Sequence, residues 1–269
     1  MFRLRQFLLP ALLGAVFPIH GVDAAGLPDT GQDTCYNDTV ADSVAAANPA
    51  SIARDGGTHP RQDCRYGRDP AAAGSALPKT GAGAKGFDYS KIANNGAVLA
   101  PDAALGTAPT DWACTRDNIT GLTWEVKTAT VTDLRYTGNT YAWYNPDGST
   151  NGGNAGSTGT NTCRGTLPGN LCNTQAYAAA VNATALCTYT DWRLPSMREL
   201  RSLNHFGRSA PSVDTTYFPN TRTYGHWSST HFAVDYATTA WVVGSNVGGT
   251  FDGNKPDDYD VQLVRGGPF

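Results

Sequence analysis

The sequence predicts an α+β protein, two helices beside a small, mostly antiparallel sheet with long irregular loops. Three observations carry this prediction. Residues 191–203, DWRLPSMRELRSL, contain a complete helix-start signal. Short strand candidates crowd the C-terminal part and are separated by Gly-, Asp- and Asn-rich turns. Of the 23 acidic residues, all but Glu125 and Glu199 are Asp, which suits turns and loops and is poor in helix interiors.

Residues 1–24 read as a secretory signal peptide: Arg3 and Arg5 form a basic start, an apolar run follows, and Val22-Asp23-Ala24 offers a small-x-small cleavage site. The run is too short and too interrupted by Pro10 and Pro18 for a membrane-spanning helix, so no membrane insertion is expected after cleavage. Residues 25–110, rich in Ala, Gly, Pro and Asp, are expected to form an irregular, disulfide-containing extension, and 111–269 the folded domain. Within that domain, Gly121 to Val126 alternates like a strand after the Asp117-Asn118 turn. A long Gly/Asn/Ser/Thr stretch over 145–171 has the length of a functional loop.

Asn173 caps a predicted helix over 174–186, with Tyr177 and Val181 on one face. Trp192 and Leu194 alternate as a short strand that Pro195 stops. Ser196 and Glu199 then form an S-x-x-E capping box, each satisfying a free backbone donor. Met197, Leu200 and Leu203 give that helix one apolar face. Further strands are expected at 226–229, 240–243 and 258–264, with turns at Gly248-Gly249 and Asp252-Gly253.

Six cysteines, Cys35, Cys64, Cys114, Cys163, Cys172 and Cys187, in a chain with an export signal imply disulfides, for which 15 pairings exist. Spacing favours Cys163–Cys172 and Cys35–Cys64, leaving Cys114 and Cys187. No C-x-x-C pair supports a metal site instead.

The ordered motifs DN-TGL-WE (117–125), DWRLPS-REL-SL (191–203), DTTYFPNT (214–221), WSST (227–230), AWVV (240–243) and VRGG (264–267) closely resemble the Lcl C-terminal domain family, named after a collagen-like bacterial surface adhesin. LPDTGQ (27–32), Cys35-Tyr36 and RYGRD (65–69) resemble segments found ahead of that domain. The family looks related to the C-type-lectin-like fold used by formylglycine-generating enzymes, in which two helices and a twisted sheet support C-terminal loops of nearly free sequence. The resemblance implies binding, for the namesake to sulfated glycans. It also implies a departure: members often carry Cys where Leu263 stands, so Cys187 is reassigned to Cys114.

Between the bracketing motifs, aromatics are interleaved with Asn and Asp. Phe232, Tyr236, Asn246, Phe251, Asp252 and Asn254 are the expected ligand-binding residues, since rings give contact area at low entropy cost and amides fix orientation. Trp241 and Tyr259 lie in the same segment, Trp241 reading as core. Asp252, Asn254, Asp257 and Asp258, with Asp260, offer hard oxygens suited to Ca²⁺, as does Asp147 to Gly152, which lacks the Glu a calcium loop needs at its twelfth position; a polar turn is the favoured reading of both. His226, His231 and Asp235 read as unrelated residues rather than a zinc site. No cofactor is called for.

The net charge of −3 gives no footprint for nucleic acid. No G-x-S-x-G or H-E-x-x-H occurs, Glu125 and Glu199 look structural, and the active cysteines of formylglycine-generating enzymes have no matched counterparts, so an enzyme is not expected. The expected function is an exported, adhesin-like module, in the periplasm, at the cell surface or outside it, that recognises a glycan or a protein surface. The alternative is a structural component of a cell-surface or pilus-like assembly with envelope partners.

Overall fold

A computed structural model describes residues 28–32, 35–36, 41–42, 63, 67–75, 77–232 and 237–267. The signal segment, Cys64 with the Cys35–Cys64 pairing, Asp235 and Tyr236 lie outside the described residues.

The fold is α+β, with two antiparallel sheets where one was expected. Strands β3 (Tyr89–Ala93), β4 (Val98–Leu99), β5 (Trp112–Asp117), β6 (Thr123–Glu125) and β10 (Val264–Arg265) form a five-stranded sheet in the order β10-β6-β5-β3-β4. Strands β7 (Gly225–His231), β8 (Thr239–Gly244) and β9 (Thr250–Asn254) form a three-stranded meander. Ahead of both, β1 (Cys35–Tyr36) and β2 (Ala41–Asp42) make a two-residue ribbon, and Arg68–Ala73 forms a short helix, α1.

The two expected helices form where their caps placed them. In α2 (Thr174–Ala183), the Asn173 side chain accepts from Ala176 N at 2.9 Å, and Tyr177 and Val181, four residues apart, are fully buried. In α3 (Met197–Arg201), Ser196 and Glu199 complete the capping box at 3.2 and 2.7 Å. Arg193 grips the same Glu199 carboxylate with both terminal nitrogens, at 2.9 and 2.6 Å, which ties the helix start to the preceding extended segment.

Two hydrophobic clusters hold these layers. One gathers Trp143, Tyr177, Trp192, Trp227, Val242 and Leu263 around both described disulfides, Cys114–Cys187 and Cys163–Cys172. Cys114–Cys187 spans 73 residues, and on the chain-entropy account closing such a loop is worth about 4 kcal/mol. The other cluster packs Leu200, Leu203, Tyr217 and Phe218 against Phe87, Tyr89, Trp124 and Val243. Leu200 is 4% exposed, so Leu200→Ala should lower stability by about 2–4 kcal/mol. A urea melt with an unshifted midpoint would contradict that packing.

Three expectations change. Residues 89–99 are expected in the irregular extension, yet β3 pairs with β5 and β4 pairs with β3, so both belong to the sheet. All five residues of β3 are buried, so the strand shows no polar–apolar alternation; even Lys91 is inside, its ammonium 3.9 Å from the Trp112 ring. Asp252-Gly253 is not a turn but the middle of β9, an edge strand whose side chains are mostly exposed. The expected strand at 258–264 shortens to β10, because Tyr259 and Asp260 bridge elsewhere, to Tyr141 and His226, as the chain passes between the sheets.

Candidate functional site

The meander decides which predicted residues meet. Side chains alternate faces along a strand, so the neighbours Phe251 and Asp252 point to opposite sides of β9. Phe251 pairs across to Val242 and Asp252 to Trp241. Val242 belongs to the cluster around Trp227, whereas Val243, on the Trp241 side, packs with Leu200 and Leu203 of the α3 region. The five described residues of the six expected to form one surface, Tyr236 lying outside the described residues, are therefore divided between two.

On the first face, Gly225 at the start of β7, Gly244 at the end of β8 and Gly253 inside β9 stand where larger side chains would otherwise be. A Cβ at Gly253 would lie 2.9 Å from the Tyr259 ring and 2.8 Å from Val242, and one at Gly225 would lie 2.8 Å from Tyr259. The glycines let the Tyr259 ring lie against the sheet. Phe251 meets Tyr259 edge-on at 5.7 Å and Tyr224 meets it at a tilt, also at 5.7 Å. Phe251 is 41% and Tyr224 43% exposed. Asn246 joins this side, since its amide oxygen and the Phe251 ring both flank Gly244. Arg222 sits 5.2 Å over the Tyr224 ring and pairs with Asp260 at 3.0 Å. Burial outweighs the pull of Arg222 and Lys127 and lifts the Asp260 carboxyl to about 7.

The second face holds Phe232, half-buried and packed edge-on to Trp241 at 4.8 Å, with Asp252 and Asn254 exposed nearby on β9. The oxygen cluster expected to suit calcium does not converge here. Asn254 turns its amide nitrogen, not its oxygen, toward Asp257 at 3.2 Å. Among the described residues, the acids brought to ligating distance of one another are Asp29, Asp63 and Asp69. In the long loop, Asp147 is occupied by its own turn: its carboxylate accepts from the Ser149 amide and hydroxyl and from Thr150, which holds its pKa below the usual range.

Lys255, which the sequence reading passed over, fixes that loop. It is 1% exposed, and its ammonium donates to the carbonyls of Asn151 (2.8 Å), Asn154 (2.6 Å) and Ala237 (2.7 Å) while standing 4.2 Å from the Trp143 ring. A tethered cation thus joins the Gly-rich loop to the segment before β8. Tyr224 gives a weaker signal: Gly225 beside it at the start of β7 and Gly253 inside β9 mark the close approach of Tyr259.

His226 and His231 do not form a joint site with each other. His226 is buried and bonded to Ser245 Oγ at 3.0 Å, and His231 lies against Gly152 of the long loop. Burial first, then the charges of Lys127 and Arg222, lower the His226 pKa to about 3. The unfolded imidazole, near 6.5, takes a proton that the folded one refuses. The stability from burying neutral His226 is thus present above pH 6.5 and lost as pH falls toward 3. His226→Gln should be less acid-sensitive than the natural chain by on the order of 3 kcal/mol between pH 7 and 4, read from urea midpoints at both values. Equal acid loss in both chains would contradict this.

A cleft of about 410 Å³ beside the end of α2 is lined by Asn94, Asn95, Pro109, Arg135 and Thr184, none of which belongs to either face. The family model of the Lcl C-terminal domain matches residues 113–265, more than half of the chain, running from the second residue of β5 to the end of β10. The chain belongs to the Lcl C-terminal domain family. Membership suggests a surface-associated module. The disulfides are compatible with export, and among the described residues no helix is long and apolar enough to cross a membrane. No curated protein matches this chain.

Proposed function

We propose that this Lcl C-terminal domain protein is an exported, adhesin-like recognition module that binds a glycan or a protein surface through the aromatic face of its meander. The observation that carries this reading is the Tyr224–Tyr259–Phe251 cluster, in which Tyr224 is 43% and Phe251 41% exposed beside Gly225 and Gly253. Such a cluster of rings presents apolar contact area with few torsions to freeze on binding. Asn246 and Arg222 at its margins supply an amide and a cation that can orient hydroxyl or anionic groups of a ligand. The fold would serve such a role as a C-type-lectin-like scaffold does, two small sheets and capped helices holding loops in place.

Binding fits better than catalysis. Glu125, the acid most deeply placed, is fully buried and already engaged by Lys127, the Tyr177 hydroxyl and the Leu263 amide, so no substrate reaches it. The test is a glycan array probed with the intact disulfide-bonded protein, with and without EDTA. The reading expects a restricted set of positive glycans, or failing that saturable binding to an extracellular-matrix protein panel. Absence of saturable binding to either class would sink it.

A further inference from the structure

The LPDTGQ stretch enters neither sheet nor the aromatic face, yet it brings Asp29 into a second constellation. One carboxylate oxygen each from Asp29, Asp63 and Asp69 lies within 4.8 Å of the other two. Asp29 is 6% and Asp69 2% exposed. Their hydrogen bonds use only one oxygen apiece: Asp29 Oδ2 accepts from Gly31 N (3.2 Å) and Gly86 N (3.1 Å), and Asp69 Oδ1 from Gly86 N (2.7 Å). Asp63 Oδ2 accepts from the Thr30 hydroxyl. The other two oxygens, Asp29 Oδ1 and Asp69 Oδ2, are buried with no hydrogen-bond partner.

Among the described residues no lysine, arginine or histidine forms an ion pair with any of the three; Arg68 spends its Nε on the Gly86 carbonyl. Holding carboxylates together in a dry place without a countercharge costs several kcal/mol per ion, so the constellation requires a cation or a shared proton. The surrounding backbone leaves the acids their room. A Cβ at Gly86 would come 2.6 Å from Asp29 Oδ1, and one at Gly67 would come 1.4 Å from Asp63 Oδ1.

We propose that Asp29, Asp63 and Asp69 hold one hard divalent cation, Ca²⁺ before Mg²⁺. Carboxylate oxygens from three separate segments make an irregular shell. Ca²⁺ accepts such a shell, with six to eight oxygen ligands, whereas Mg²⁺ demands near-ideal octahedral geometry. The two unpartnered buried oxygens are the ligands that the hydrogen bonds leave over. The ion joins the start of α1 and Asp63 to residues 29–31, which also dock on the domain through Phe206 N to Thr30 O at 2.8 Å and the close approach of Gly31 to the His205 ring. It therefore fastens the N-terminal segment to the folded core, and its binding adds to stability.

The test is calorimetric titration of the full chain, stripped with EDTA, with CaCl₂ and separately with MgCl₂, paired with thermal melts. The expected result is one Ca²⁺ per chain, weaker Mg²⁺ binding and a higher melting temperature with Ca²⁺. Asp63→Asn, at the half-buried member, should weaken Ca²⁺ binding about tenfold or more and remove the rise in melting temperature, while Asp257→Asn, outside the trio, should leave both unchanged. If the stripped chain binds neither ion, or if Asp63→Asn binds Ca²⁺ as the natural chain does, the proposal is overturned. Loss of binding in Asp257→Asn alone would also overturn it, by placing the ion near β9.

Discussion

Lys255→Met should destabilise the protein by on the order of 4 kcal/mol. The methionine fills most of the aliphatic channel, but it strips a donor from each of three carbonyls, Asn151, Asn154 and Ala237. A buried acceptor left without a partner costs about 1–3 kcal/mol, and bonds to a charged donor are the stronger kind. Ala237 is exposed and Asn154 half-buried, so water replaces part of what is lost, which keeps the sum below the full three-bond figure. The ammonium also leaves the Trp143 ring, a contact worth about 1 kcal/mol when desolvated. Burial lowers the Lys255 pKa, but serving three carbonyls at once takes the three donors of the protonated group. The checks are a urea melt and limited proteolysis, with faster cleavage in the Gly-rich loop at 145–160. A variant as stable and as protease-resistant as the natural chain would mean that Lys255 does not clasp the loop.

Glu125→Gln is expected to have a comparable effect, about 3–5 kcal/mol, for a different reason. Glu125 is fully buried, pairs with Lys127 at 2.8 Å, and accepts from the Tyr177 hydroxyl and from Leu263 N at 2.8 Å. The amide keeps an oxygen for Leu263 but removes the charge, so the Lys127 ammonium stays buried with its counterion gone. The carboxylate also holds the chain beside β6, accepting from Leu263 N next to the backbone bond from Glu125 N to Leu263 O at 3.1 Å. If the cost comes from the orphaned charge, adding Lys127→Met should recover at least half of it, and the four melts of this cycle isolate the pairwise coupling. Strictly additive losses would assign the effect to Leu263 and Tyr177 alone.

The helices were legible because their signals are local. Asn173, Ser196 and Glu199 act within three residues of themselves, and the structure uses each as a cap. The Cys114–Cys187 bridge followed from the family resemblance and the Leu263 departure, not from spacing. β3 and β9 were illegible for opposite reasons. The first is buried on both sides and so lacks alternation; the second is an edge whose Asp, Gly and Asn look like turn residues. The candidate site was half legible. Phe251 and Asn246 do share a face, but Asp252 and Asn254 were grouped with them by nearness in sequence, which the two-residue period of a strand undoes. Tyr224 and Lys255 were missed because their roles depend on partners distant in sequence: Tyr259 for the first, Trp143 and the carbonyls of Asn151 and Asn154 for the second.

The most direct test of the aromatic face is the affinity of Phe251→Ala and Tyr224→Ala for the strongest ligand from the array, each compared with the natural chain. Both rings are over 40% exposed, so the melts should stay unchanged within about 0.5 kcal/mol. If the rings anchor the ligand, each variant should lose about 2 kcal/mol of binding, roughly thirtyfold in Kd. Full affinity in both variants, with loss instead on Phe232→Ala across the sheet, would contradict the assignment and move the site to the opposite face.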